Sequence, residues 1–161
     1  MDKSSRQPII CDNYALRIAA DGGWWHQGAP IKRHNLVTLF ARQLVREDDG
    51  RYWLVTPVER GIIEVDDLPF VATRLEIAGA GTDQKLTLTT NLGESVTLGT
   101  DHPLVIDQEK PAVHIRTNLY ARIARPIYYE LVNLGVPAAD NPDMLGVWSE
   151  GVFFPLGKVV P

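Results

Sequence analysis

The sequence has little of what marks a secreted protein or a membrane protein. Cys11 is the sole cysteine among 161 residues, so no intrachain disulfide can form, and a reducing compartment is the simple expectation. The polar stretch from Met1 to Pro8 has no apolar run behind it, which argues against a signal peptide. No segment reaches the roughly 18 uninterrupted apolar residues of a membrane helix. We therefore expect a cytoplasmic protein that does not bind membranes.

The chain also lacks the residue patterns of common catalytic sites. It contains no phosphate-binding loop, no dinucleotide fingerprint, no nucleophile elbow and no His-Glu-x-x-His motif. Its four histidines, none of which lies two or four residues from another as in many metal sites, are His26, His34, His102 and His114. The formal charge of −4 argues against a nucleic-acid partner. We expect no metal, no cofactor and no nucleic acid.

What is present is the pattern of an α+β protein made mostly of antiparallel hairpins with two short helices. Leu36, Leu39, Phe40 and Leu44 form one apolar stripe, which predicts a helix capped by Asn35. Pro126 opens a second predicted helix. Between the helices the texture is β, and short alternating strands predict hairpins at 14–26, 73–89 and 146–156.

The sequence partly repeats itself. After a shift of 34 residues, Leu54, Thr56, Asp67, Pro69 and Val71 match Leu88, Thr90, Asp101, Pro103 and Val105. Trp25–Gly28 also resembles Trp148–Gly151, each in or beside a predicted hairpin. We interpret these matches as two similar α+β halves; hairpins that merely share turn chemistry are the alternative. The expected organisation is a loose tail at 1–11, a first half at 12–80 and a second half at 81–161.

Six residues are candidates for binding a ligand or partner. Glu59 and Arg60 follow the strand break at Pro57 and could form a polar lip, and the 34-residue shift places Gly93 and Glu94 where they stand. A surface ion pair is the alternative for these two. Trp24 and Trp25 are adjacent on a strand and must face opposite sides, so one of them is a candidate partner contact. The complete candidate set is Trp25, His26, Glu59, Arg60, His102 and Trp148, none of them with a catalytic assignment.

Several blocks of sequence resemble the uncharacterised proteobacterial family of domain of unknown function 1285. The resemblance runs from about Cys11 to Leu156. It implies a cytoplasmic bacterial protein with a repeated α+β fold and a role in signal transduction, without established catalytic residues. The blocks that carry it are Trp25–Gly28, Pro30-Ile31, Leu39–Ala41, Tyr52–Glu59, Asp66–Phe70, Thr90–Gly93, Asp101–Leu104, Tyr128–Val132 and Gly146–Leu156.

We therefore predict a non-enzymatic binding or regulatory module that works through a protein partner or as a homodimer. The alternative is a small-ligand-binding protein or an enzyme with a groove between the two halves.

Overall fold

The computed structural model describes residues 9–11 and 14–158, which form two units, Met1–Pro69 and Phe70–Pro161. The predicted boundary between the halves lies after residue 80 instead. The structure differs because the strand Phe70–Ala78 pairs with Lys85–Thr90 and with Leu119–Ile123, both of which belong to the second unit. Among the described residues no helix has the length and apolar character needed to cross a membrane.

In its described residues, the first unit consists of a seven-stranded sheet and one α-helix. Its strands run in the order β4-β3-β2-β7-β6-β5, and β1 pairs with β7 in parallel. The strand β1 lies inside the predicted loose tail, so three of those residues are in fact part of the sheet; Met1–Pro8 and Asp12-Asn13 lie outside the described residues. The elements are β1 (Ile9–Cys11), β2 (Leu16–Ile18), β3 (Trp24–His26), β4 (Ala29–Pro30), α1 (His34–Arg42), β5 (Leu44–Arg46), β6 (Tyr52–Val55) and β7 (Glu59–Val65).

The second unit contains a six-stranded sheet, one helix and a smaller three-stranded sheet. The large sheet has the order β10-β9-β8-β13-β12-β11, and the small one has the order β14-β15-β16. The elements are β8 (Phe70–Ala78), β9 (Lys85–Thr90), β10 (Ser95–Thr97), β11 (Leu104–Asp107), β12 (Lys110–Arg116), β13 (Leu119–Ile123), α2 (Arg125–Asn133), β14 (Val136–Pro137), β15 (Met144–Ser149) and β16 (Val152–Lys158).

The main sheets of the two units share one strand order. In each, two antiparallel three-stranded meanders are joined by a parallel pair between the first strand of one and the last strand of the other: β2 with β7, and β8 with β13. This confirms the predicted α+β fold with two similar halves. The repeat is one of strand order, however, since β6 corresponds to β12 by position, whereas the 34-residue shift matches β6 with β9.

Along the chain of the first unit, the helix α1 follows β4 and precedes β5, so it separates the two meanders in sequence. It begins at His34 after Arg33, which offers no side-chain cap, so the predicted cap at Asn35 is wrong. The predicted stripe is also partly wrong: Leu39 is 53% exposed, whereas Val37 is 6% exposed and packs into the core with Ala41. Residues four apart share a helix face, so the buried pair fixes which side of α1 is turned inward.

Candidate functional site

A cavity of about 320 Å³ opens in the first unit beside α1. Pockets that hold small molecules typically have about 300–1,000 Å³, with mostly apolar walls and a few polar groups. This cavity fits that description. It is lined by Tyr14, Leu16, His26, Ile31, Leu36, Phe40, Leu54, Thr56 and Glu59.

The apolar wall of the cavity comes from the sheet and from one face of α1. Leu16 on β2 and Leu54 on β6 are buried residues of the sheet. Leu36 and Phe40 lie four residues apart on α1 and therefore share a face of that helix. The ring of Phe40 stacks on Trp24, with centroids 6.1 Å apart, and this contact restrains the ring at the wall.

The polar part of the lining is built around the turn between β6 and β7. The Thr56 hydroxyl donates to the Glu59 carbonyl oxygen (2.9 Å) and accepts a hydrogen bond from the Glu59 N–H (3.0 Å). A hydrogen bond between backbone groups, from the Thr56 N–H to the Glu59 carbonyl oxygen (2.8 Å), closes the same turn. The backbone of Glu59 is therefore held in place. Within the described part of the chain, the Glu59 carboxylate itself has no ion pair or hydrogen bond.

Tyr14 reaches the cavity because Gly61 leaves room for its ring. A Cβ atom at Gly61 would lie 2.4 Å from Cε2 and 2.5 Å from Cδ2 of Tyr14. Any larger residue at 61 would displace the ring. The sequence analysis did not single out Tyr14 or Gly61, and the signal that could have found them is a glycine inside a strand, which often marks a close approach.

The structure brings together two of the six predicted site residues. His26 and Glu59 both line the cavity. Their neighbours Trp25 and Arg60 do not, because successive side chains along a strand point to opposite faces of the sheet. His102 and Trp148 belong to the second unit.

Arg60 is engaged on the face of the sheet away from the cavity. Its guanidinium lies 4.0 Å from the centroid of the Trp53 ring and forms an ion pair with Glu47. Val55 pairs with Arg60 across β6 and β7. These contacts agree with the ion-pair alternative for Arg60 and leave Glu59 as the member of that pair turned toward the cavity.

The turns after Thr56 and Thr90 differ in length, which changes the residue that corresponds to Glu59. The Thr90 N–H donates to the Glu94 carbonyl, as the Thr56 N–H does to Glu59, so the turn after Thr90 is one residue longer. The turn contacts therefore equate Glu59 with Glu94 and not with Gly93. An ungapped shift of the sequence could not register that insertion.

The two predicted residues of the second unit make structural contacts. The His102 Nδ1 lies 3.1 Å from the His114 carbonyl oxygen, to which it donates a hydrogen bond. The Trp148 ring meets Phe153 edge to face with centroids 5.4 Å apart, and its carbonyl accepts a hydrogen bond from Gln84.

Arg17 and Asp66 form an ion pair elsewhere in the first unit. The Arg17 Nε lies 2.9 Å from the Asp66 Oδ1, and this hydrogen-bonded pair lowers the pKa of the Asp66 carboxyl and raises the pKa of Arg17. The Asp66 N–H also donates to the Ile18 carbonyl, so the pair lies where β2 runs beside β7. In the part of the chain that is described, no group of three or more His, Cys, Asp or Glu residues could hold a metal ion.

Two family models match the chain. The model for the N-terminal domain of DUF1285, a domain of unknown function, matches residues 4–68. The model for the C-terminal domain of DUF1285, described as a protein of unknown function, matches residues 69–156. The boundary between the two matches falls beside the boundary between the two units. A comparison with curated proteins gives no match.

Two solved structures are similar to the chain. A DUF1285 family protein from Silicibacter pomeroyi DSS-3 is 43% identical with a TM-score of 0.86, and the match covers 95% of this chain and 85% of that one. A DUF1285 family protein from Shewanella baltica OS155 is 25% identical with a TM-score of 0.60, and the match covers 74% of this chain and 91% of that one.

Proposed function

The chain belongs to the DUF1285 family, and from this premise we propose that it is a non-enzymatic binding module whose first unit holds a small, mainly apolar molecule. The observation that supports this most is the cavity of about 320 Å³ with its five wall residues whose side chains are pure hydrocarbon, Leu16, Ile31, Leu36, Phe40 and Leu54. Burial of apolar surface stabilises a complex by about 25 cal/mol per Å², so such walls favour a ligand with a hydrocarbon body.

The hydrogen bonds of the Thr56 hydroxyl at the cavity support a binding function over a catalytic one. Thr56 is occupied by the backbone of Glu59 through its Oγ1 atom. A hydroxyl that acts as a nucleophile instead needs a base within hydrogen-bond reach. This favours a receptor for an intact molecule over an enzyme.

A regulatory role would use the opposite face of the same sheet. Leu54 lines the cavity while its neighbours Trp53 and Val55 lie on the other face, together with Val45, which is 44% exposed. Aromatic residues and arginine are enriched where proteins bind each other, and Arg60 stacks on Trp53 here. We propose that a protein partner, or a second copy of the chain, binds this face, and that this binding gives the protein a cytoplasmic signalling role.

Saturation-transfer NMR with octanol tests the binding function. Leu36→Trp places a larger side chain in the cavity, and Leu39→Trp places the same side chain on the exposed face of α1, outside this cavity. We expect saturation of octanol by the unmodified protein and by Leu39→Trp, and loss of most of the signal with Leu36→Trp. Equal signals from the two variants, or no signal from the unmodified protein, would exclude the cavity as a binding site.

A further inference from the structure

We infer, on the basis of the proposed function, that the ligand of this cavity is an organic cation: an ammonium group carried on an aliphatic or aromatic body. Three features support this: the carboxylate of Glu59, two aromatic rings in the lining, and a described lining that contains neither lysine nor arginine.

Glu59 lines the cavity, and its carboxylate has no counter-ion among the residues that the structure describes. The nearest cation in sequence, Arg60, points to the other face of the sheet and is held by Glu47 and by the Trp53 ring. Glu59 forms no ion pair within the described residues. Among the described residues, no lysine or arginine competes with a positively charged ligand for this carboxylate.

The backbone that carries the carboxylate is held in place before any ligand arrives. The Thr56 side chain bonds both the N–H and the carbonyl of Glu59, which restrains the backbone from which the side chain projects. A group held in place loses less conformational freedom on binding, so more of the interaction energy appears as affinity.

Two aromatic rings add to the preference for a cation. Tyr14 and Phe40 both line the cavity, and the face of an aromatic ring attracts an ammonium group within about 6 Å of its centroid. Stacking on Trp24 keeps the Phe40 ring in place.

Ligands of other charge fit this lining less well. An anion would be repelled by the Glu59 carboxylate, and no described residue of the lining is a lysine or arginine that could offset the repulsion. A neutral ligand would take water from the carboxylate and offer no charge in return, which is unfavourable for a partly buried ion. Of the three ligand classes, only an organic cation combines an apolar body that packs on the wall with a charge that neutralises the carboxylate.

Calorimetric titration with three probes of equal chain length measures the charge preference. The probes are octylammonium, octanol and octanoate, and the variants are Glu59→Gln and, as a matched control, Glu64→Gln. Glu64 is an exposed residue of the same strand on its opposite face. We expect the unmodified protein and Glu64→Gln to bind octylammonium roughly tenfold more tightly than octanol, and Glu59→Gln to lose that preference.

The outcomes separate this inference from the proposed function. If octanol and octylammonium bind equally well, or if Glu59→Gln keeps the preference, the cation inference is wrong while the binding function stands. If no probe binds the unmodified protein, both are wrong. A far-UV circular dichroism spectrum unchanged by Glu59→Gln confirms that a lost preference reflects the carboxylate and not the fold.

Discussion

At the scale of single residues, the alternation of side chains along β7 decides which groups share the cavity. Glu59 faces the cavity while Arg60 packs on Trp53 at the other side of the sheet. Trp25 and His26 divide in the same way on β3. Sequence neighbours that look like one polar group therefore serve two surfaces, and a substitution at one need not affect the other.

Gly61 is the residue whose size matters most for the shape of the cavity. It stands on β7 opposite Leu54, and the Tyr14 ring occupies the space where a side chain would project. The strand can accept an alanine only if the tyrosine ring moves.

We therefore expect Gly61→Ala to lower the free energy of unfolding by roughly 1–3 kcal/mol, because overpacking a filled site forces side chains from their preferred rotamers. Urea unfolding followed by circular dichroism measures the loss. The same substitution in a Tyr14→Ala background is the control and should cost clearly less, since the obstructing ring is gone. An unchanged cost in that background would mean that the ring is not the obstacle.

At the scale of elements, hairpins were predictable from the sequence and the helix docking was not. The residues Gln27-Gly28 and Glu150-Gly151 all have positive φ angles, of 51° and 80° and of 51° and 77°, and each pair closes a two-residue turn. Such turns favour glycine for local reasons. The resemblance of Trp25–Gly28 to Trp148–Gly151 thus agrees with shared turn chemistry.

The phase of α1 depends on tertiary packing. Leu36 and Phe40 fell within the predicted stripe and do face the cavity, but Leu39 faces solvent and Leu44 belongs to β5. Val37 and Ala41 are buried in their place. Hydrophobicity alone does not distinguish these residues, because the side of a helix that is covered is set by the surface on which it packs.

Ser149 on β15 links the small sheet of the second unit to the large one. Its hydroxyl donates to the Leu98 carbonyl (2.7 Å) and accepts a hydrogen bond from the Leu86 N–H (3.0 Å), and the residue is fully buried. The neighbouring backbone of Glu150 and Gly151 bonds Gln84 and Thr82. The buried Ser149 hydroxyl therefore anchors the start of the turn between β15 and β16, and the two backbone bonds hold the turn itself.

Ser149→Ala is expected to lower the free energy of unfolding by about 3 kcal/mol, because two buried backbone groups lose their partner. Ser95→Ala is a matched control: Ser95 is exposed and its hydroxyl contacts the Thr89 hydroxyl. That change should stay within about 0.5 kcal/mol. Chemical denaturation of both variants measures the difference, and equal losses would contradict the role of Ser149 as the anchor.

At the scale of the whole molecule, the fold class followed from the sequence but the location of the cavity did not. Alternation and turn residues indicate antiparallel strands and two helices, which the structure has. The cavity draws its lining from separate segments between Tyr14 and Glu59. Those segments meet only after β2 pairs with β7, a long-range event that no local pattern reports.

The strand pairings of β8–β16 all lie inside the second unit. We therefore expect a fragment that spans Phe70–Pro161 to fold without the first unit, because it carries complete hydrogen-bonded sheets and core residues of its own, among them Leu86, Leu98 and Val113. A dispersed amide NMR spectrum and a cooperative thermal transition are the measurements. A fragment with a collapsed spectrum and no transition would show that the unit depends on the rest of the chain.

The parallel pair that joins the two meanders of each unit also has a consequence for how the chain folds. Hairpins join residues close in sequence and form quickly, whereas the central pairs β2 with β7 and β8 with β13 join the first and the last of six strands along the chain. Closing so long a loop costs chain entropy before the new contacts repay it, so topologies of this kind fold slowly. The meanders should therefore form first, and the parallel pair should set the rate at which each unit reaches its native state.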